Sequence, residues 1–270
     1  MDTSVFVAAL THRSVITVEG EDWRGFLQGL ITQDVESLYP GDARFCGLLN
    51  PQGRLLFDLF VIGQAEGCLL DCQGDQRDAL IDRLMIYRLR AKVVIKESDL
   101  TVWAIWGQGP PTNGGSADPR VPGLGWRAYG GPAPEGTVQD EIAYAEHVFA
   151  LGAPAAADWG FEKTYPIEAN FDLLNGIDFK KGCFVGQETT SRMKRRGVVK
   201  NRMAPITFSG PAPEFGEDLL AGALRAGEVR SGRDGQAMAL LRLDRLDAGP
   251  LTLIDGRSWR PVWPSWLDKT

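Results

Sequence analysis

Residues 180–192 read Lys-Lys-Gly-Cys-Phe-Val-Gly-Gln-Glu-Thr-Thr-Ser-Arg, setting one thiol, Cys183, between two glycines and among cations. Gly182 and Gly186 let the backbone take turn conformations and let a ligand approach closely. Lys180 and Lys181 precede the thiol, Arg192, Lys194, Arg195 and Arg196 follow it, and nearby positive charge favours the thiolate. This pattern predicts a presented, reactive cysteine. Spacing alone fits as well a small apolar residue packed beside a solvated basic turn. If residues 187–193 are helical, Glu188 and Arg192 lie one turn apart and form a surface pair worth about 0.2–0.5 kcal/mol. The cluster Lys194, Arg195, Arg196, Lys200 and Arg202 reads as a solvated basic surface, or as a site for a polyanion such as a folate's glutamate tail or RNA.

Beyond this stretch the texture changes. From about residue 203 short apolar runs alternate with Gly and Pro, which predicts a small β-barrel or sandwich at 203–270, with a helical period only over 217–224. Upstream, Val15–Val18 predicts a strand leading into a helix that carries Trp23, Phe26, Leu27 and Leu30. The runs Arg44–Leu49 and Arg54–Ile62 flank Asn50-Pro51-Gln52-Gly53, the turn of a hairpin. A strand over Cys68–Cys72 follows, then a helix capped by Asp75 with Leu80, Leu84 and Tyr87 on one face, then a strand through Val93, Val94 and Ile95. Half of residues 107–136 are Gly or Pro, so that span is a long irregular connection with a short strand over 125–129. Glu141–Leu151 resumes a helix. Residues 1–202 are thus a mixed α and β region ahead of the β domain.

Composition narrows the function. With 44% hydrophobic and 24% charged residues, the 270-residue chain is an ordinary globular one without a run of about 18 apolar residues, which excludes a helical membrane anchor. The start, Met-Asp-Thr-Ser-Val-Phe, lacks the basic region of a leader, so cytoplasmic residence is the expectation. Four cysteines without a Cys-x-x-Cys pair predict reduced thiols and no zinc site. Two histidines, His12 and His147, have no ligand spacing and argue against a zinc hydrolase or a Ser-His-Asp enzyme. A net charge of -6 argues against general nucleic-acid binding and confines any basic surface to the motif.

Two carboxylates draw attention. Period-two alternation puts Arg54, Leu56, Asp58, Phe60 and Ile62 on one strand face, and a carboxylate among apolar neighbours needs a partner or a ligand. Arg54, four residues away on the same expected face, is one candidate partner for Asp58. Glu168, in Tyr-Pro-Ile-Glu-Ala-Asn, is by composition a loop carboxylate.

Lys181-Gly182-Cys183-Phe184-Val185-Gly186-Gln187-Glu188, followed by Arg192, resembles the signature of the YgfZ-type proteins at every position of that signature. Phe26-Leu27-Gln28-Gly29, Thr32-Gln33-Asp34-Val35, Tyr87 to Lys92, Pro166 to Asn170, Ala239 to Arg242 and Pro264 to Leu267 are similar to the same family, so the likeness spans nearly the whole chain. The resemblance implies an α+β protein with the fold of the glycine-cleavage T-protein: small α/β domains around a central folate channel, and a C-terminal β-barrel. It implies tetrahydrofolate as the bound cofactor and a role in assembling or maintaining iron-sulfur enzymes, including tRNA-modifying ones. Asp58 falls where the T-proteins have a paired-aspartate segment, and Glu168 matches their Glu-Ala element that contacts the pteridine. On the same ground Arg192 is a further candidate folate contact, with Cys183 the functional thiol at the channel mouth. Phe57 stands where the T-proteins have the other aspartate, which points to folate binding rather than aminomethyl transfer, the alternative activity. Direct RNA binding through the basic segment is a third expectation.

Overall fold

The computed structural model describes residues 4–111, 114–195, 197 and 199–267. The chain begins with β1 (Val5–Ala9) and β2 (Arg13–Glu19), then α1 (Trp23–Gln28), β3 (Ala43–Leu49), β4 (Leu55–Gln64), β5 (Gly67–Gln73), α2 (Arg77–Arg88) and β6 (Val94–Ser98). The hairpin β3–β4 closes as its turn residues dictate: the Asn50 carbonyl accepts from Gly53 N–H and the Asn50 side chain accepts from Arg54 N–H, both at 2.9 Å. A sheet of order β3-β4-β5-β2-β6 results, with every pair antiparallel.

Both faces of this sheet are buried, which explains why β4 is apolar almost throughout. Phe45, Phe60, Ile62, Leu69 and Val15 face one core. Cys46, Leu59, Val61, Leu70 and Ile16 face a second core roofed by α1 and α2. A register shift interrupts β4: Leu48 pairs with Phe57 but Leu49 pairs with Leu55. Leu56 is the extra residue of this bulge and turns to the second core with Phe57, so the expected face Arg54-Leu56-Asp58 is broken at Leu56 and holds only from Asp58 onward. Asp75 does not cap α2 either. It lies in a short 3-10 turn, and the residue before the helix, Gln76, makes no side-chain cap.

The middle of the chain supplies β7 (Val102–Gly107), β8 (Ser116–Ala117), β9 (Trp126–Tyr129), β10 (Thr137–Val138), α3 (Glu141–Ala150) and α4 (Ala156–Trp159). β7 to β10 join β1 in a sheet of order β10-β1-β7-β9-β8, so the Gly- and Pro-rich span is more ordered than its composition predicts. Asp140 caps α3, accepting from Ala143 N–H at 2.8 Å.

After α5 (Gln187–Arg195) come β11 (Asn201–Phe208), β12 (Asp218–Ala221), β13 (Leu224–Arg233), β14 (Gln236–Arg242), β15 (Leu251–Leu253) and β16 (Trp259–Pro261), in the order β15-β12-β13-β14-β11-β16. A Thr252–Ser258 bridge draws the two edges together into a nearly closed β-barrel around its own apolar core. The helical period expected at 217–224 is instead strand β12 entering a hairpin with β13, where cross-strand pairing overrides it. No helix among the described residues is long and apolar enough to cross a membrane.

Candidate functional site

Where the two α/β sheets, α3, α4 and the barrel strand β13 converge, the fold leaves a cavity of about 320 Å³. Asp58 and Arg13 line it from one sheet, Tyr144 and Phe149 from α3, Trp159 from α4 and Ser231 from the barrel. Asp58 is 5% exposed. Its partner is Arg13, whose Nη1 donates to Oδ2 at 3.1 Å, and the second oxygen, Oδ1, has no hydrogen-bond partner among the described residues. Arg54 is elsewhere: it stacks on Tyr165 and donates to the Lys163 carbonyl, because the bulge at Leu56 separates it from the Asp58 face.

Behind Asp58 lies a buried charge network. Arg13 Nε donates to Asp71 Oδ1 at 2.6 Å, Arg127 Nη1 to Asp71 Oδ2 at 2.9 Å, and Arg120 grips Asp118 through two bonds of 3.0 and 2.8 Å. The guanidinium carbons of Arg13, Arg120 and Arg127 lie 5.7, 5.0 and 3.7 Å from the centroid of the Phe60 ring. Burial alone would raise the Asp118 carboxyl, yet the charge and hydrogen bonds of Arg120 together with the charge of Arg127 outweigh it and hold the group below its ordinary range. Three arginines thus balance Asp58, Asp71 and Asp118. Sequence reading missed this network because its partners are far apart in the chain, Arg13 and Asp58 by 45 residues.

The Cys183 loop lies outside the cavity lining. It docks on the segment between α1 and β3 and on the β3–β4 turn. Asp178 N–H donates to the Thr32 carbonyl at 2.9 Å and Val185 N–H to the Gly29 carbonyl at 3.2 Å. Thr32 Oγ1 returns a bond to the Gly176 carbonyl at 2.5 Å. Gly186, at φ 80°, meets the β3–β4 turn so closely that an added Cβ would lie 2.7 Å from the Asn50 carbonyl oxygen and 2.9 Å from Gly53 Cα. Between these anchors Cys183 is exposed, whereas Cys46, Cys68 and Cys72 are buried and burial pushes their thiols up. Gly182 faces open space.

Lys181 departs from its expected place among surface cations. It is 9% exposed, and its ammonium donates to the Ile31 carbonyl at 2.7 Å and the Gln33 carbonyl at 2.6 Å. Burial lowers it to about 8, against the opposing pull of Cys46, Asp34 and Asp178. Its charge is directed onto the backbone of the α1–β3 connection.

Glu168 does not reach the cavity lining. Its carboxylate accepts from Tyr165 N–H at 3.2 Å and from Asn201 Nδ2 at 2.8 Å, tying the turn before Cys183 to β11. Arg192 is exposed on α5, one turn from Glu188, and no ion pair joins the two among the described residues. Gln187 Nε2 donates to the Gly182 carbonyl at 3.4 Å. Of the basic cluster, Arg202 is buried and grips Asp172, Lys194 lies 4.0 Å from that carboxylate, Arg195 and Lys200 are exposed, and Arg196 lies outside the described residues.

Domains set around a central cavity, with a C-terminal barrel as one wall, define the aminomethyltransferase T fold. The chain matches the crystal structure of glycine cleavage system aminomethyltransferase T from Bartonella henselae with a TM-score of 0.75 over 99% of this chain and 87% of that one, at 16% identity. Residues 200–269 match the family described as CAF17, C-terminal beta-barrel domain. Among curated proteins the chain is 32% identical to iron-sulfur cluster assembly factor IBA57, mitochondrial, of Homo sapiens over 90% of this chain and 78% of that protein. It is 31% identical to the Mus musculus protein of the same name over 95% and 84%. The chain belongs to the IBA57 family of iron-sulfur cluster assembly factors. These relatives are mitochondrial by name, which overturns the cytoplasmic residence expected from the amino-terminal charge pattern. That pattern bears on a leader segment and says nothing of the compartment a family works in.

Proposed function

We propose that the protein supports the assembly or maintenance of iron-sulfur enzymes through Cys183, with a tetrahydrofolate-type ligand held in the cavity at Asp58. The observation that carries the role of the thiol is its exposure: of four cysteines only Cys183 is at the surface, on a loop anchored at both ends. Such a thiol can transiently hold iron, a cluster or a one-carbon group passed to or from a partner, which is an iron-sulfur enzyme or another assembly factor. The signature at residues 181–192 supports the narrower YgfZ-type reading, in which tRNA-modifying enzymes are among the clients.

The residues of the cavity suit a folate. Asp58 Oδ1 lacks a partner, and a carboxylate accepts the neighbouring N–H groups of a pteridine edge. Phe60, Trp159, Val148 and Phe149 offer apolar walls to a flat ring. When bound, the folate supplies one-carbon chemistry; Arg13 holds the Asp58 carboxylate in place to receive it. Glu168 acts at a distance, by fixing the Tyr165–Glu168 turn against β11.

Titration with tetrahydrofolate tests the cavity reading. Wild type is expected to bind, and Asp58→Asn to bind roughly ten- to a hundredfold more weakly, the range of a hydrogen bond to a charged group. Wild type that binds no tetrahydrofolate overturns the folate reading.

A further inference from the structure

Lys181 is an unusual choice for an interior position. A buried ammonium is costly to desolvate, and this one lies within 4.0 Å of no carboxylate among the described residues. What meets it are two backbone carbonyls, of Ile31 and Gln33, at 2.7 and 2.6 Å, and the Phe184 ring, 5.5 Å from its centroid. Both carbonyls belong to the connection between α1 and β3, some 150 residues earlier in the chain. An apolar side chain of the same length would fill this space without a desolvation penalty, so the ammonium is there for what it holds.

What it holds is one side of the Cys183 loop. Over residues 178–185 the loop touches the α1–β3 connection at three places, Asp178 N–H on Thr32, Lys181 Nζ on Ile31 and Gln33, and Val185 N–H on Gly29, while just upstream Thr32 Oγ1 and Gln33 Nε2 donate to the Gly176 and Asn175 carbonyls. Cys183 sits between the second and third. Without the Lys181 contact the thiol would lie on an eight-residue span from Asp178 to Val185 tied by local bonds, Asp178 Oδ1 accepting from Lys180 and Lys181 N–H and Gln187 Nε2 donating to the Gly182 carbonyl, and Gly182 has no neighbour within 4 Å of a built Cβ. Lys180, one residue before, is exposed and makes no side-chain contact of this kind among the described residues.

We infer that Lys181 is the positioning residue of the working thiol: its ammonium clamps the Cys183 loop onto the Ile31–Gln33 backbone and thereby fixes where Cys183 stands on the surface. This rests on the proposed role of Cys183 and adds the device that places it. The two adjacent lysines then have different jobs, Lys181 as a mechanical clamp and Lys180 as a solvated surface charge. A thiol tuned by surrounding charge would depend on Lys180 at least as much.

The test uses a nitroxide spin label on Cys183, the exposed thiol, in wild type, Lys180→Met, Lys181→Met and Lys181→Arg, together with hydrogen exchange of the Asp178 and Val185 amides. The expected result is a restricted label in wild type, Lys180→Met and Lys181→Arg. In Lys181→Met the label becomes mobile and both amides exchange roughly tenfold faster, as for a local opening that has lost two hydrogen bonds. Exchange in the β3–β4–β5 sheet stays unchanged, which separates clamping from general destabilisation. If Lys181→Met does not fold, Lys181→Gln, whose amide is too short to reach both carbonyls, takes its place with the same expected outcome. A Lys181→Met label as restricted as in wild type, with exchange unchanged, overturns the inference, as does a Lys180→Met protein that changes equally. Because these readings are taken on the protein alone, they stand apart from the cellular test of Cys183: a dispensable thiol would sink the proposed role and leave the clamp measured.

Discussion

Asp58 is paired across 45 residues with Arg13, at 3.1 Å, while Arg54, just ahead of the strand that carries Asp58, reaches a different surface. Arg13 is shared with Asp71, so removing Asp58 does not strand the guanidinium alone. Asp58→Ala is expected to cost about 3 kcal/mol, the low end for breaking a buried pair, with the fold retained. Arg54→Ala is expected to cost under about 1 kcal/mol, the worth of a partly exposed stack on Tyr165. Urea denaturation of both variants measures the difference; equal costs would refute the assignment of Arg13 as the partner.

The two glycines of the cysteine loop should respond differently to a methyl group. At Gly186 the positive φ and the Asn50 oxygen 2.7 Å from a built Cβ predict a loss of roughly 2 kcal/mol or more for Gly186→Ala. At Gly182 nothing lies within 4 Å, and Gly182→Ala should shift stability by less than about 0.5 kcal/mol. Thermal melts of the two proteins decide it.

Glu168 joins the turn before the motif to the barrel rather than lining the cavity. Glu168→Gln should lower stability by about 1 kcal/mol and reduce tetrahydrofolate affinity much less than Asp58→Asn does. A larger loss of affinity in Glu168→Gln than in Asp58→Asn would place the carboxylate in contact with the ligand.

Acid should loosen the attachment of α3 before the core. Glu141 accepts from Thr11 and lies 2.8 Å from His12 Nδ1, and the His12 contact holds its carboxyl below the ordinary value of 4.5. A carboxyl depressed in the folded state stabilises fully above its unfolded value, and that contribution disappears as pH falls through the folded one. The stability gap between wild type and Glu141→Gln is therefore expected to be constant down to about pH 5 and to close below it. Unfolding midpoints from pH 7 to pH 3 read the gap directly; a gap that widens in acid contradicts the sign.

Much of the architecture is legible in local pattern. The hairpin flanking Asn50–Gly53 follows from apolar runs around a turn sequence, and α3 from its apolar spacing. The Leu56 bulge is invisible to a period-two count, because a bulge is set by how the partner strand pairs. Within the Gly- and Pro-rich span the strand expected over 125–129 is present as β9, whereas the two-residue strands β8 and β10 are too short to leave a pattern, and β10 owes its place to pairing with β1, about 130 residues away. At the site, the exposure of Cys183 agrees with glycine flanks and polar neighbours. The burial of Lys181 does not follow from any local rule: two adjacent lysines read alike until the carbonyls of Ile31 and Gln33 are placed. The presence of Gly29 and Thr32–Asp34 in the family likeness has its physical reason here, since that segment is the platform on which the cysteine loop rests.

The most direct measurement of the central claim is recovery of an iron-sulfur enzyme's activity in cells that lack their own assembly factor of this family. Wild-type protein is expected to restore the activity, and Cys183→Ala, present at the same level and equally stable, to fail. Restoration by Cys183→Ala to the wild-type level would contradict the account and return the cysteine to a structural role.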